Sequence, residues 1–226
     1  MDQFVCVRMV RTTGIDLSVF QFNWWSTWTV FLMNSDRVTY GRYGRKDGNS
    51  TIALRKALEG ALELHKGYPA NKALFDGKKG LPLPWKTPEE VPVLKERIQG
   101  DRPRRNDCVH CHHVWEGIMS SLIDQNSPIP DRYTVDYPTS DLMGIVLDRD
   151  ERATIHEVRP ASPAEAASLK NGDKILRLAG QPILSIADVE WVLYRAENEA
   201  VLDVLVEREG RALELRVKLP RGWRTR

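Results

Sequence analysis

The sequence predicts an α/β first half followed by a smaller, mostly β module. Three stretches carry that reading: an apolar, strand-like run at residues 4–10, an amphipathic helix at 50–66, and a succession of short strands with two helices from residue 136 onward. A chain of 226 residues with 42% hydrophobic and 28% charged residues has the balance of a globular protein and the length for two domains. Its 33 Lys and Arg against 31 Asp and Glu give a net charge of only +2, so no nucleic-acid partner is expected. No apolar window reaches about 18 residues and the start "MDQFVCVRMV" lacks a signal peptide's layout, so no transmembrane segment is expected. The chain reads as cytoplasmic as written, and as periplasmic or otherwise exported if a signal-bearing segment precedes it.

The run "FVCVRMV" from Phe4 to Val10 is rich in β-branched residues and suits a strand buried on both faces, with Cys6 an inert thiol inside it. A hairpin follows, from Trp28–Met33 through a polar turn at Asn34–Arg37 into Val38–Tyr43. Ser50 can cap the helix that ends near Lys66, with Ile52, Leu54, Ala57, Leu58, Ala61, Leu62 and His65 largely on one face. His65 lies near its C-terminus, where a structural role is expected. The proline-rich stretch Gly67–Arg105 reads as an extended connector, and Cys108–Asn126 as a helix with Val114, Ile118, Ser121, Leu122 and Trp115 inward.

The segment "DCVHCHH", residues 107–113, concentrates the chain's chemistry, because two of its three cysteines and three of its five histidines fall there. Cys108-x-x-Cys111-His112 fits a c-type haem attachment site, two thiols for the vinyl groups and an adjacent axial imidazole. The second axial ligand is open among Met119, Met33, Met143 and His65. The same atoms allow a zinc or copper site in which His110, His112 or His113 join the cysteines, although one CxxC falls short of the four ligands of structural zinc. A third chemistry is a dithiol, with neighbouring histidines and a helix N-terminus lowering a thiol pKa. The bland alternative is a solvated helix start with no cofactor. Haem c ranks first among the ligands.

From residue 136 the order of pieces is "DLMGIVL", "RATIHEVRP", "SPAEAASL", "GDKILRLAGQPI", "SIADVEWVLYRA", "AVLDVLVERE" and "RALELRVKLP". This resembles a PDZ domain of the bacterial type found in trypsin-like quality-control proteases. Ser162-Pro163 and Ser185 supply helix starts, and Gly172-Asp173 a turn. The resemblance implies that a peptide's C-terminal carboxylate is held by the amides of Leu142, Met143, Gly144 and Ile145. The peptide would add a strand between Ile145–Leu147 and the helix carrying Val189, Val192 and Leu193. No G-x-S-x-G accompanies the module and His156 lies inside one of its strands, so a hydrolase is not expected.

The stretch from Phe4 to Lys66, strand, loop, hairpin and helix, is similar to the second half of a thioredoxin fold. Together with the module it resembles a bacterial family that joins a thioredoxin-like half to a PDZ domain, some members being selenoproteins. That resemblance implies a redox pair, or a selenocysteine, upstream of Met1, and a cis-proline where Ser26-Thr27-Trp28 stands here. The fold expected is α/β (partial thioredoxin-like) followed by a mostly β PDZ domain. Its parts are a thioredoxin-like region lacking its first strand and helix (1–66), a connector with the CxxCH helix (67–135), the PDZ domain (136–220) and a tail (221–226). The function expected is a redox or electron-transfer adaptor whose groove recruits a protein C-terminus or extended peptide. The alternative is a non-catalytic interaction scaffold acting through the PDZ domain only.

Overall fold

The computed structural model describes residues 3–45, 50–99 and 109–225. In chain order the elements are β1 (Val30–Met33), β2 (Thr39–Tyr43), α1 (Thr51–Lys66), α2 (Pro92–Gln99), α3 (Cys111–Asp124), β3 (Ile145–Leu147), β4 (Ile155–Val158), α4 (Pro163–Ala166), β5 (Lys174–Leu178), β6 (Gln181–Pro182), α5 (Ile186–Arg195), β7 (Ala200–Arg208) and β8 (Arg211–Leu219). They form two compact units that interleave along the chain, Met1–Trp25 with Gly80–Ile129, and Ser26–Lys79 with Pro130–Arg226.

The first unit is built on α2 and α3. Val91 and Leu94 from one side and Val114, Ile118 and Leu122 from the other are buried. The two helices approach closely because Gly117 has no side chain: a Cβ there would sit 2.5 Å from Leu94 Cγ. Gln21 ties the entering loop down, its amide donating to the carbonyls of Leu17 and Leu81 at 2.8 and 2.7 Å and accepting from Leu81 N–H at 2.8 Å. The connector is therefore not extended throughout: besides α2 it forms 3-10 turns at Lys72–Lys78 and Pro88–Glu90.

Two expectations for this unit are corrected. Residues 4–10 form no strand; Val5 is 93% and Val7 81% exposed, and Cys6 is exposed rather than buried. β-branched residues favour a pleated, half-buried surface, and among the described residues no neighbouring strand supplies one here. The helix expected from Cys108 starts at Cys111, with His110 in extended conformation at its N-cap; Cys108 lies outside the described residues.

In the second unit β1 and β2 form an antiparallel hairpin in the register Val30↔Tyr43, closed by Asn34 Oδ1, which accepts from Val38 N–H at 2.9 Å. Ser50 caps α1 as expected, its hydroxyl accepting from Ala53 N–H at 3.3 Å. The face α1 buries is Ala53, Ala57, Gly60 and Ala61, a strip of small residues that lets the helix lie close to its neighbours. Ile52, expected inward, is 54% exposed, and His65 is exposed with its Nδ1 2.7 Å from the Tyr40 hydroxyl. A thioredoxin-like half is not shown: among the described residues β1 and β2 pair only with each other, and the leading strand is absent.

The rest of this unit is a β-rich module. A four-stranded antiparallel sheet in the order β6-β5-β7-β8 and a separate ribbon β3-β4 enclose one core that includes Ile155, Ile175, Leu178, Val204, Val206 and Val217. The expected caps are in place: Ser162 Oγ accepts from Glu165 N–H at 3.1 Å with Pro163 following, and Ser185 Oγ accepts from Asp188 N–H at 3.4 Å. Buried Asp173 clamps β5 to the end of β7, receiving Arg208 Nε at 2.6 Å and its terminal nitrogen at 2.7 Å.

Candidate functional site

The candidate site lies where the chain turns into β3. Ser140–Met143 form a single 3-10 turn, and Gly144 ends it in the left-handed region at φ 85°. Glycine is required there twice over, by that φ and by Ser162, whose Cβ would stand 2.0 Å from any added Cβ. The turn aims the chain into β3, which pairs with β4 through Ile145↔Val158 and Val146↔Glu157. Arg159 N–H donates to Gly144 O at 2.8 Å, so residues 144 and 159 form a hydrogen-bonded pair and the next residues do not. Val158 N–H accordingly points away from β3 and is taken by Asn171 Oδ1 at 2.8 Å. By the same alternation the N–H and C=O of Ile145 point to the other edge of β3, where no strand pairs among the described residues.

Helix α5 packs against this turn. Met143, Ile145, Val189, Val192 and Leu193 are at most 2% exposed and belong to one core cluster, with Leu142 partly buried at its margin. The structure thus brings all the expected groove residues together, with the three from α5 turned into the core. The opposite face of α5 is equally buried, by a cluster that the sequence did not announce. Asp188 Oδ1 accepts from the Arg42 N–H at 3.0 Å and pairs with Lys78 Nζ at 2.7 Å, while Oδ2 accepts from Leu184 N–H at 3.0 Å. Trp191 Nε1 donates to Gly77 O at 2.8 Å, and the Arg42 guanidinium lies 3.8 Å over its ring. Burial pushes the Lys78 ammonium down to about 8 and Arg42 down to about 10, against the pull of Asp188. Tyr137 stacks on Tyr194 at 4.7 Å, and burial raises both phenols well above their ordinary value. The only signal in the sequence was a helix with Asp and Trp on its polar side, which periodicity assigns to solvent.

The Cys/His segment belongs to the first unit. His110, His112 and His113 cluster at the start of α3, the last two with ring centroids 4.2 Å apart, and His112 stacks on Trp25 at 6.0 Å. His113 Nδ1 accepts from the His110 N–H at 3.1 Å. Burial pushes the half-buried Cys111 thiol up, the opposite of the lowering that a reactive dithiol needs. Among the described residues no group of three or more His, Cys, Asp or Glu is arranged to hold a metal ion. Cys108, the first thiol of the motif, lies outside the described residues, and nothing in the described part of the segment adds support for redox or haem chemistry. His156 lies on the exposed side of β4, and no described helix is long and apolar enough to cross a membrane.

Comparison with known proteins agrees with the geometry of the module. A protein from Ralstonia nicotianae named as a zinc metalloprotease is 42% identical over 67 residues, 29% of this chain and 14% of that protein. A DegP-like protein from Marinomonas sp., named as a periplasmic serine endoprotease, is 37% identical over 73 residues, 32% of this chain and 16% of that protein. The match thus spans about a seventh of each relative's length. The crystal structure of a serine endoprotease from Yersinia pestis aligns over 34% of this chain and 27% of that one, at 24% identity and a TM-score of 0.31. The PDZ domain family matches residues 140–219, from the 3-10 turn before Gly144 to the end of β8, and that stretch of the chain is a PDZ domain.

Proposed function

We propose that the chain is a protein-interaction module whose PDZ domain binds an extended polypeptide along β3, with Leu142, Met143, Gly144 and Ile145 at one end of the site and α5 beside it. The observation that carries this reading is the unpaired edge of β3 directly after the Gly144 turn, within a stretch that matches the PDZ family. An added strand gains main-chain hydrogen bonds there, and alternate side chains supply specificity. The periplasmic setting named for the Marinomonas relative favours exported partners.

Hydrogen exchange on the full chain, with and without a peptide selected from a random displayed library, tests the reading. Binding should slow exchange at the Ile145 amide and leave residues 111–124 unchanged. Protection confined to the Cys/His segment would transfer the function there.

A further inference from the structure

The open edge of β3 is short. At its start Leu142 N–H donates to Thr139 O at 3.2 Å and Gly144 N–H to Asp141 O at 2.9 Å, and the Ile145 N–H is left outward. At its end Asp148 N–H turns back to Thr154 O at 2.9 Å, so by alternation Leu147 follows Ile145 at the open edge and the edge stops there. Two such residues hold an added strand over roughly 7 Å. What a bound segment meets beyond Leu147 therefore contributes much of its selectivity.

Beyond Leu147 lies an open cavity of about 300 Å³, counting its mouth. The loop after β3 supplies Arg149 and Glu151, and the first turn of α5 supplies Ile186 and Ala187. The other side is closed by Tyr43 at the end of β2 and Ala53 in α1, two residues outside the stretch 140–219 that matches the PDZ family. All six belong to the same compact unit.

The polar groups around the cavity are for the most part engaged with one another. The Tyr43 hydroxyl donates to Ser50 O, Ser50 Oγ donates to Asp150 Oδ1 at 2.5 Å, and Ser185 Oγ donates to Arg42 O. Arg45 stands 3.5 Å from Glu190, and Glu151 pairs with Lys56. Arg149 is exposed at the rim. The inner surface left to a ligand is that of Tyr43, Ala53, Ile186 and Ala187, all buried and apolar in their contact atoms. A charged side chain carried into it would lose water without gaining a partner, whereas an aliphatic one gains by burial.

We propose that the peptide site continues past the end of β3 into this cavity, which takes an aliphatic side chain from the flank of the segment bound at β3, so that β2 and α1 share in the selectivity of the PDZ domain. The proposal rests on the peptide-binding reading above and adds a specificity-determining subsite to it.

The test starts from peptides selected on the full chain from a random displayed library. Each is synthesised at full length, with either flank removed, and with each flanking aliphatic residue changed to Asp, and affinities are measured by fluorescence anisotropy. The expected result is an aliphatic residue enriched at one flanking position, whose change to Asp or removal weakens binding about tenfold or more. Hydrogen exchange should show residues 50–53 slowed by the full-length peptide and released by the shortened one, with the Ile145 amide slowed by both. Ala187→Met, which fills the cavity, should bring the full-length peptide down to the affinity of the shortened one. Flanks that can be removed or charged at a cost below about threefold overturn the proposal and leave peptide binding at β3 intact. A folded Ala187→Met protein that still prefers the full-length peptide tenfold also overturns it, and if that variant does not fold, the peptide series decides alone. Failure to select any binder overturns the peptide-binding reading together with this one.

Discussion

Asp188 is the residue on which the second unit turns. Its carboxylate accepts two main-chain N–H groups and faces two buried cations, and it is completely buried itself. Removing one partner of a buried charge cluster costs more than the cluster contributes, because the remaining charges stay buried without compensation. Asp188→Asn should therefore lower unfolding stability by about 3 kcal/mol, read from the midpoint of a urea transition at unchanged slope. Lys78→Met should cost less than that, because the Asp188 carboxylate still accepts from the Arg42 and Leu184 N–H groups. The pH dependence separates the two contributions. Lys78 has a folded pKa near 8 against an ordinary 10.5, so between these values the unfolded chain binds more protons and the site's contribution to stability rises with pH. That rise should be present in the native protein from about pH 8 upward and absent from Lys78→Met; an unchanged slope in the variant would mean that Lys78 does not titrate there.

At the level of elements, helix contacts are set by what glycine leaves out. Gly117 lets Leu94 sit on the backbone of α3, so Gly117→Ala should force α2 and α3 apart and destabilise the first unit by about 1–3 kcal/mol. Thermal unfolding would show the loss, and a neutral substitution would mean that the Leu94 side chain simply rotates away. Elements of this kind were legible in the sequence to the extent that local chemistry decides them. Ser50, Ser162 and Ser185 announced their helices because a hydroxyl at the N-cap acts within three residues. The hairpin was legible from its polar turn, and the PDZ module from the order of its pieces. Residues 4–10 misled because β-branched composition reports fitness for a sheet and not the presence of a partner strand. Ile52 misled because α1 packs through alanines and a glycine, so the buried face is the small one rather than the greasy one. The donors of the Gly144 turn could not be read at all, since nothing in "SDLMGI" says that its amides close on their own carbonyls.

At the scale of the whole unit, the PDZ domain and the hairpin belong to one compact unit. In the described structure α5 is buried on both faces, its apolar side in the domain core and Asp188 and Trp191 against β2 and the 3-10 turn Lys72–Lys78. A fragment limited to residues 130–226 would expose the Trp191 ring and leave Asp188 without Lys78 and the Arg42 amide. Burial of a large aromatic side chain contributes on the order of 3 kcal/mol, a large part of the margin of a domain this small. We therefore expect the fragment to be much less stable than the full chain, with a lower thermal midpoint and weaker dispersion of its amide resonances. Adding residues 26–79 as a separate polypeptide should restore part of that stability, because the contacts it brings are those α5 lacks. A fragment as stable as the intact protein would show that the hairpin is a passenger, and that α5 tolerates water on the face that Asp188 and Trp191 occupy.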